Sequence, residues 1–204
     1  MSDDRIIDFN DLKSSTLFII FIISVGFIFY KNSIKNLKIG NNKNSQEIVD
    51  YILNLSSYEA EVTVNITSNK NSNKYILKQK YQKDKERIQE VIEPSNIAGV
   101  KIIKEGKNLR LENSNLNLTS MFENYQYISD NSLDLCSFIK DYKKGEKSEW
   151  KEKDGKIIME TNRESKQKIL YIDAKSGNPE KMEIKDNNKN IAVYILYKEV
   201  SVNS

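Results

Sequence analysis

The chain has 204 residues, 30% of them charged, and a formal net charge of +3. It contains no histidine and one cysteine, Cys136. That inventory excludes Ser-His-Asp and Cys-His catalysis, the common zinc ligand sets and an internal disulfide.

Residues 1–13 form a polar tail carrying Asp3, Asp4, Asp8 and Asp11 against Arg5 and Lys13. The positive balance of the remainder is spread among many Lys and Glu, which describes a solvated surface and not a nucleic-acid stripe. Lys13 and Lys31 then bound an uncharged run, Ser14 to Tyr30, with Leu17–Tyr30 as its apolar body. As a helix the run is about 25 Å long, enough for a short membrane span. It lacks the polar stripe of a core helix. It ends in Phe27-Ile28-Phe29-Tyr30, which is too bulky for a signal-peptide cleavage site, and no lipobox cysteine follows. Residues 14–31 therefore read as an uncleaved single-pass anchor. The Lys- and Asn-rich stretch 32–44 reads as a linker, and 45–204 as one domain.

In Asn44-Ser45-Gln46-Glu47, Asn44 caps a helix and Glu47 reaches back to it. Ile48, Ile52 and Leu55 make the apolar stripe of about three turns, ending by Ser56-Ser57. From Tyr58 the period becomes two. Val62, Val64 and Ile66 alternate with polar residues; after the turn Ser68–Asn73, Tyr75, Leu77, Gln79 and Tyr81 share one face. This predicts a long antiparallel hairpin with one wet face. A strand over Arg87–Ile92 is broken by Glu93-Pro94-Ser95-Asn96. Val100–Lys104 and Asn108–Glu112 pair across Glu105-Gly106-Lys107. Leu116 and Leu118 begin a looser segment reaching Tyr127. Ser132 is expected to cap a second helix carrying Leu133, Cys136, Phe138 and Ile139, which Gly145 stops. Lys140, Lys143 and Lys144 near its end suit the helix dipole.

Four more strand signals follow. Lys147–Lys153 and Lys156–Thr161 flank Asp154-Gly155, a strong two-residue hairpin turn. Lys166–Asp173 and Lys181–Asp186 flank Lys175–Pro179. The last strand, Ile191–Val200, is apolar on both faces and is expected to lie centrally with cover on both sides. The fold class that follows is α+β. A single curved antiparallel sheet of eight to eleven strands in meander order carries two or three short helices on its concave face.

The ending Tyr171-Ile-Asp173-Ala-Lys-Ser-Gly177-Asn-Pro179-Glu-Lys-Met182-Glu-Ile184-Lys-Asp186 resembles the C-terminal part of the LolA/LolB-like lipoprotein-carrier superfamily. Three further stretches are similar to the GerS-related germination lipoproteins of spore-forming clostridia. They are Tyr58-Glu59-Ala60-Glu61, Glu93-Pro94-Ser95-Asn96-Ile97-Ala98-Gly99-Val100, and Leu133 with Ser137-Phe138-Ile139-Lys140-Asp141-Tyr142. The resemblance covers roughly residues 45–203. It implies a LolA-like half-barrel and a non-enzymatic role: binding a spore N-acetylmuramoyl-L-alanine amidase and favouring its active, zinc-loaded state. The zinc is the amidase's, and no cofactor is expected on this chain. A carrier of lipid or lipoprotein acyl chains, held in an aromatic-lined concavity, is the alternative. Strand exchange into a homodimer stays open in such a sheet.

Two features depart from the pattern. The anchor stands where the related proteins carry a lipid. Lys31, Lys35, Lys38 and Lys43 follow the span whereas only Arg5 and Lys13 precede it, which by itself places the domain in the cytoplasm; the resemblance places it outside, at the cell surface or between the forespore membranes.

Few residues invite a catalytic reading. Ser137-x-x-Lys140 has the Ser-x-x-Lys spacing of penicillin-binding enzymes, without the companion motifs, and reads as a helix surface. Cys136 reads as a small buried residue. The carboxylate pairs Asp130/Asp134 and Glu149/Glu152 are ordinary in so charged a chain. Tyr58, Tyr75, Tyr81, Tyr125, Tyr127, Tyr142, Tyr171, Tyr194 and Tyr197 mostly suit half-buried strands, with a subset free to meet a partner.

Overall fold

The computed structural model describes residues 43–67, 71–125, 133–145, 147–163, 166–188 and 190–203. The expected tail, anchor and most of the linker lie outside them. Among the described residues no helix is long and apolar enough to cross a membrane.

Among the described residues eleven strands form one sheet. They are β1 (Ser57–Thr67), β2 (Ser72–Gln82), β3 (Glu86–Glu93), β4 (Val100–Glu105), β5 (Asn108–Asn113), β6 (Leu118–Phe122), β7 (Lys147–Lys153), β8 (Lys156–Arg163), β9 (Lys166–Asp173), β10 (Pro179–Lys185) and β11 (Ile191–Asn203). The order across the sheet is β6-β5-β4-β3-β2-β1-β11-β10-β9-β8-β7. Two antiparallel meanders are thus joined where the first strand pairs with the last, from Ser57↔Asn203 to Ile66↔Val193. Short turns account for the meander order. Asp154 and Gly155 both take positive φ, 53° and 72°, the backbone a tight two-residue hairpin demands.

Side-chain alternation puts one face of the sheet under two helices. Trp150, Met159, Leu170, Met182, Ile195, Val64 and Tyr75 face one another in register across seven strands. Helix α1 (Ser45–Leu53) adds Ile48, Val49 and Ile52 to this layer. Helix α2 (Leu135–Lys144) adds Leu135, Phe138 and Ile139, and all join a single hydrophobic cluster. The Asn44–Glu47 capping box is present in both directions, with Glu47 N–H donating to Asn44 Oδ1 at 2.9 Å and Asn44 N–H to Glu47 Oε2 at 3.0 Å.

Three expectations are corrected. The cap of α2 is Asp134, whose Oδ1 accepts from Ser137 N–H at 2.7 Å; Ser132 lies outside the described residues. A carboxylate directly before the first helical residue serves the orphan N–H groups better than the serine two residues earlier. The segment from Leu118 is a strand, β6, and not loose chain. Strand β11 is central, but among the described residues it is covered on one face only. Ile195 and Tyr197 are buried, whereas Leu196 on the other face is 36% exposed.

Candidate protein-binding surface

The sheet has two edges, and their sequences differ in kind. At one end β7 reads Lys-Ser-Glu-Trp-Lys-Glu-Lys, alternating charges that deter strand addition. At the other end β6 reads Leu-Thr-Ser-Met-Phe, with no charge. Among the described residues it pairs only with β5, so the N–H and C=O groups along its outer side have no strand partner there. Leu118 and Phe122 point to one face and Met121 to the other, with exposures of 60%, 40% and 55%. Leu116 and Tyr125 extend the patch at 63% and 38%, and the Phe122 and Tyr125 rings lie 5.9 Å apart. An unguarded apolar edge is what β-augmentation by a partner chain requires.

On the helix-free face, β1–β5 line a groove of about 500 Å³. Ile88 and Ile103 lie in it among charged neighbours, with Lys80–Glu59 paired at 2.8 Å and Lys101–Glu90 at 3.9 Å. The first pair is exposed and the second half-buried, and each is worth little by itself.

The residues with catalytic spacing are engaged in packing. Ser137 is buried, and the ammonium on its Oγ, at 2.7 Å, belongs to Lys168 of β9 and not to Lys140. Lys168 Nζ also meets Asp141 Oδ2 at 2.7 Å, and Arg163 meets Asp141 Oδ1 at 2.8 Å. An ammonium shared with a carboxylate is a donor and not a base, so the cluster ties α2 to β8 and β9. Its lower end is closed by Thr161 Oγ1 against Ser148 Oγ, 2.9 Å, and by Ser148 donating to the Tyr142 carbonyl, 2.7 Å. Gly145 ends α2 at an ordinary φ of −70°, and its absent side chain is what matters. A Cβ there would lie 2.3 Å from Thr161 Oγ1 and 3.0 Å from the Asp141 carbonyl oxygen.

Cys136 is a free, buried thiol. Burial first, and then the Asp134 carboxylate, push its pKa far up, so it stays protonated. Of the carboxylate pairs, Asp134 caps α2, Glu152 accepts from the Ser45 hydroxyl, and Asp130 lies outside the described residues. Tyr58 is core. Its hydroxyl donates to Gln79 Oε1 at 3.1 Å and accepts from Leu135 N–H at 3.3 Å. Tyr197 is also buried, and Tyr75 and Tyr81 pack against the same cluster. Tyr125, in the β6 patch, is exposed, and Tyr127 lies outside the described residues. Among the described residues no group of three Cys, Asp or Glu side chains is placed to hold a metal ion.

A family profile described as "YdcC: Sporulation protein YdcC-like" matches residues 13–204. Among solved structures, a chain from the complex of the CwlD amidase from Clostridioides difficile with the GerS lipoprotein is 26% identical. Its TM-score is 0.48, covering 78% of this chain and 95% of that one. The LolA superfamily protein NE2245 from Nitrosomonas europaea is 10% identical with a TM-score of 0.41, covering 80% and 95%. A comparison with curated proteins found no match.

Proposed function

This chain belongs to the family of YdcC-like sporulation proteins, and on that premise we propose that it is a non-enzymatic binding protein for a cortex-modifying N-acetylmuramoyl-L-alanine amidase. The resemblance at Tyr58–Glu61, Glu93–Val100 and Ser137–Tyr142 supports the choice of partner. The observation that carries the reading is the uncharged β6 edge. A strand of the amidase adds to β6, its side chains meeting Leu118 and Phe122 on one face and Met121 on the other. Binding that is tighter to the active, zinc-loaded amidase shifts its population towards that state, which is all allosteric support requires. The zinc stays with the amidase.

The apolar run Leu17–Tyr30 tethers residues 45–204 to a membrane on its extracytoplasmic side, and the family match, which begins at residue 13, takes in that run. The four lysines from Lys31 to Lys43 pull the other way, and a reporter fused after Ser204 decides the orientation. A cytoplasmic reporter sinks this reading.

The central test is co-purification with the amidase and its activity with and without this chain. Met121→Lys and Leu118→Glu should abolish both effects while leaving the fold intact. Unchanged binding by both variants removes β6 as the contact. Dimerisation lost in the same variants assigns β6 to a second copy. The acyl-carrier alternative is the weaker reading, because Phe138, Ile48, Ile52 and Tyr58 already fill the helix-covered face. Uptake of a labelled fatty acid by the delipidated domain would restore it.

A further inference from the structure

Strand β6 is five residues long, and every one of them is exposed. Among the described residues its ladder runs to β5 alone. A strand so short and open frays unless bonds outside the ladder hold it. Such bonds stand at both ends. Before β6, Asn113 Oδ1 accepts from the N–H groups of Asn115 at 3.1 Å and Leu116 at 3.2 Å. The Asn115 side chain then reaches out of this turn, and its Nδ2 donates to the Ala98 carbonyl at 2.9 Å. Ala98 lies in the β3–β4 connection, which is itself fixed: Gly99 N–H donates to the Val91 carbonyl at 2.8 Å, and Ile97 packs against the core. After β6, Asn124 N–H donates to Asn108 Oδ1 at 3.3 Å. The Asn115 bond also needs residue 99 to lack a side chain. Gly99 has a φ of +82°, and a Cβ there would stand 3.0 Å from Asn115 Nδ2.

We propose that Asn115 and Gly99 are positioning residues of the docking edge, holding β6 extended for the incoming strand through the Ala98 carbonyl. An edge that is already extended spares the partner the ordering cost that a frayed one adds to binding. The same bond fixes the turn that carries Leu116 and leads into Leu118, at 63% and 60% the most exposed apolar side chains of the patch. The inference rests on the reading of β6 as the amidase contact, but its first measurement needs no partner.

That measurement is amide hydrogen exchange on the full chain in an uncharged detergent. In Asn115→Ala the β6 amides bonded to β5 should exchange about threefold to tenfold faster, the factor that one net hydrogen bond supplies, with β1 unchanged. Gly99→Ala should act on the same amides, and its combination with Asn115→Ala should fall short of the product of the two effects. Gly155→Ala is the control: its φ is also positive, at +72°, but its Cβ meets nothing within 4 Å and it lies at the far edge of the sheet. It should leave β6 unchanged. Amidase affinity should then fall in Asn115→Ala by about the factor seen in exchange. Unchanged β6 exchange in Asn115→Ala, an equal acceleration in Gly155→Ala, or equal acceleration throughout the sheet overturns the proposal. So does faster exchange with undiminished amidase affinity while Met121→Lys abolishes binding. If Met121→Lys leaves affinity unchanged as well, the amidase contact at β6 is what fails, and the local acceleration still assigns Asn115 to holding the edge.

Discussion

Replacing Lys168 by Met removes the charge that joins α2 to the sheet while nearly preserving the volume of its stem. The Lys168 side chain is 7% exposed and that of Asp141 12%, so solvent replaces little of what is lost. Asp141 keeps Arg163 at 2.8 Å on its other oxygen, which prevents a fully orphaned carboxylate. Ser137 Oγ loses its 2.7 Å partner. A charge-assisted hydrogen bond is worth about 1.5–3 kcal/mol, and the buried acceptors left unpaired add to its loss. Breaking a buried pair outright costs about 3–5 kcal/mol. With Arg163 retained and methionine packing the stem's space, the expected loss is roughly 2–4 kcal/mol, a large part of the ~5–15 kcal/mol that holds a domain folded. Urea unfolding of the compact unit, residues 37–204, should show this as a lower midpoint with unchanged slope. In a cycle with Asp141→Asn, the double variant should lose less than the two single losses added. A loss under about 0.5 kcal/mol, or strict additivity, would show that the cluster does not fasten α2.

Gly145→Ala should destabilise by about 1–3 kcal/mol through overpacking against Thr161 and the Asp141 carbonyl, and Thr161→Ala should relieve part of it; thermal unfolding of the four species checks this. Asp173 accepts hydrogen bonds from Ser176, with Ser176 N–H at 2.6 Å from Oδ1, and these hold its carboxyl below the usual value. Its contribution to stability is therefore complete above the ordinary aspartate pKa of about 3.9 and is lost as pH falls through the lowered value; an NMR titration of the Asp173 carboxyl should find that lower midpoint. Cys136 should resist alkylation at pH 8 in the folded protein and react promptly in urea, because both burial and its raised pKa must be removed; mass spectrometry of the modified fraction reads this directly.

Local rules made much of this fold readable. The period-two patterns of Tyr58–Ile66 and Tyr75–Tyr81, the Asn44–Glu47 box and the Asp154-Gly155 turn each depend on residues close in sequence, and each recurs in the structure. Where contacts are distant, the reading failed. Ser137 points to Lys140 by helical spacing, yet the ammonium it meets is on β9, 31 residues on. Strand β6 was hidden because five residues with one neighbouring strand carry too little pattern to separate them from a loop. Its apolar character was nonetheless in plain view beside the charged β7, and comparing the two edge sequences is the signal that finds it.

The β1–β11 pairing also governs when the sheet can be completed. Strand β1 starts at residue 57 and the strand that covers its free side starts at residue 191. At a synthesis rate of about 5–20 residues per second, that interval is on the order of ten seconds. Once β6 has followed, the meander β1–β6 has two open sides for the rest of it: the uncharged β6 and the apolar β1 of Val62, Val64 and Ile66. The nascent chain is therefore most prone to pair with a neighbour before its last strand emerges, and arrival of β11 is the event that ends this exposure.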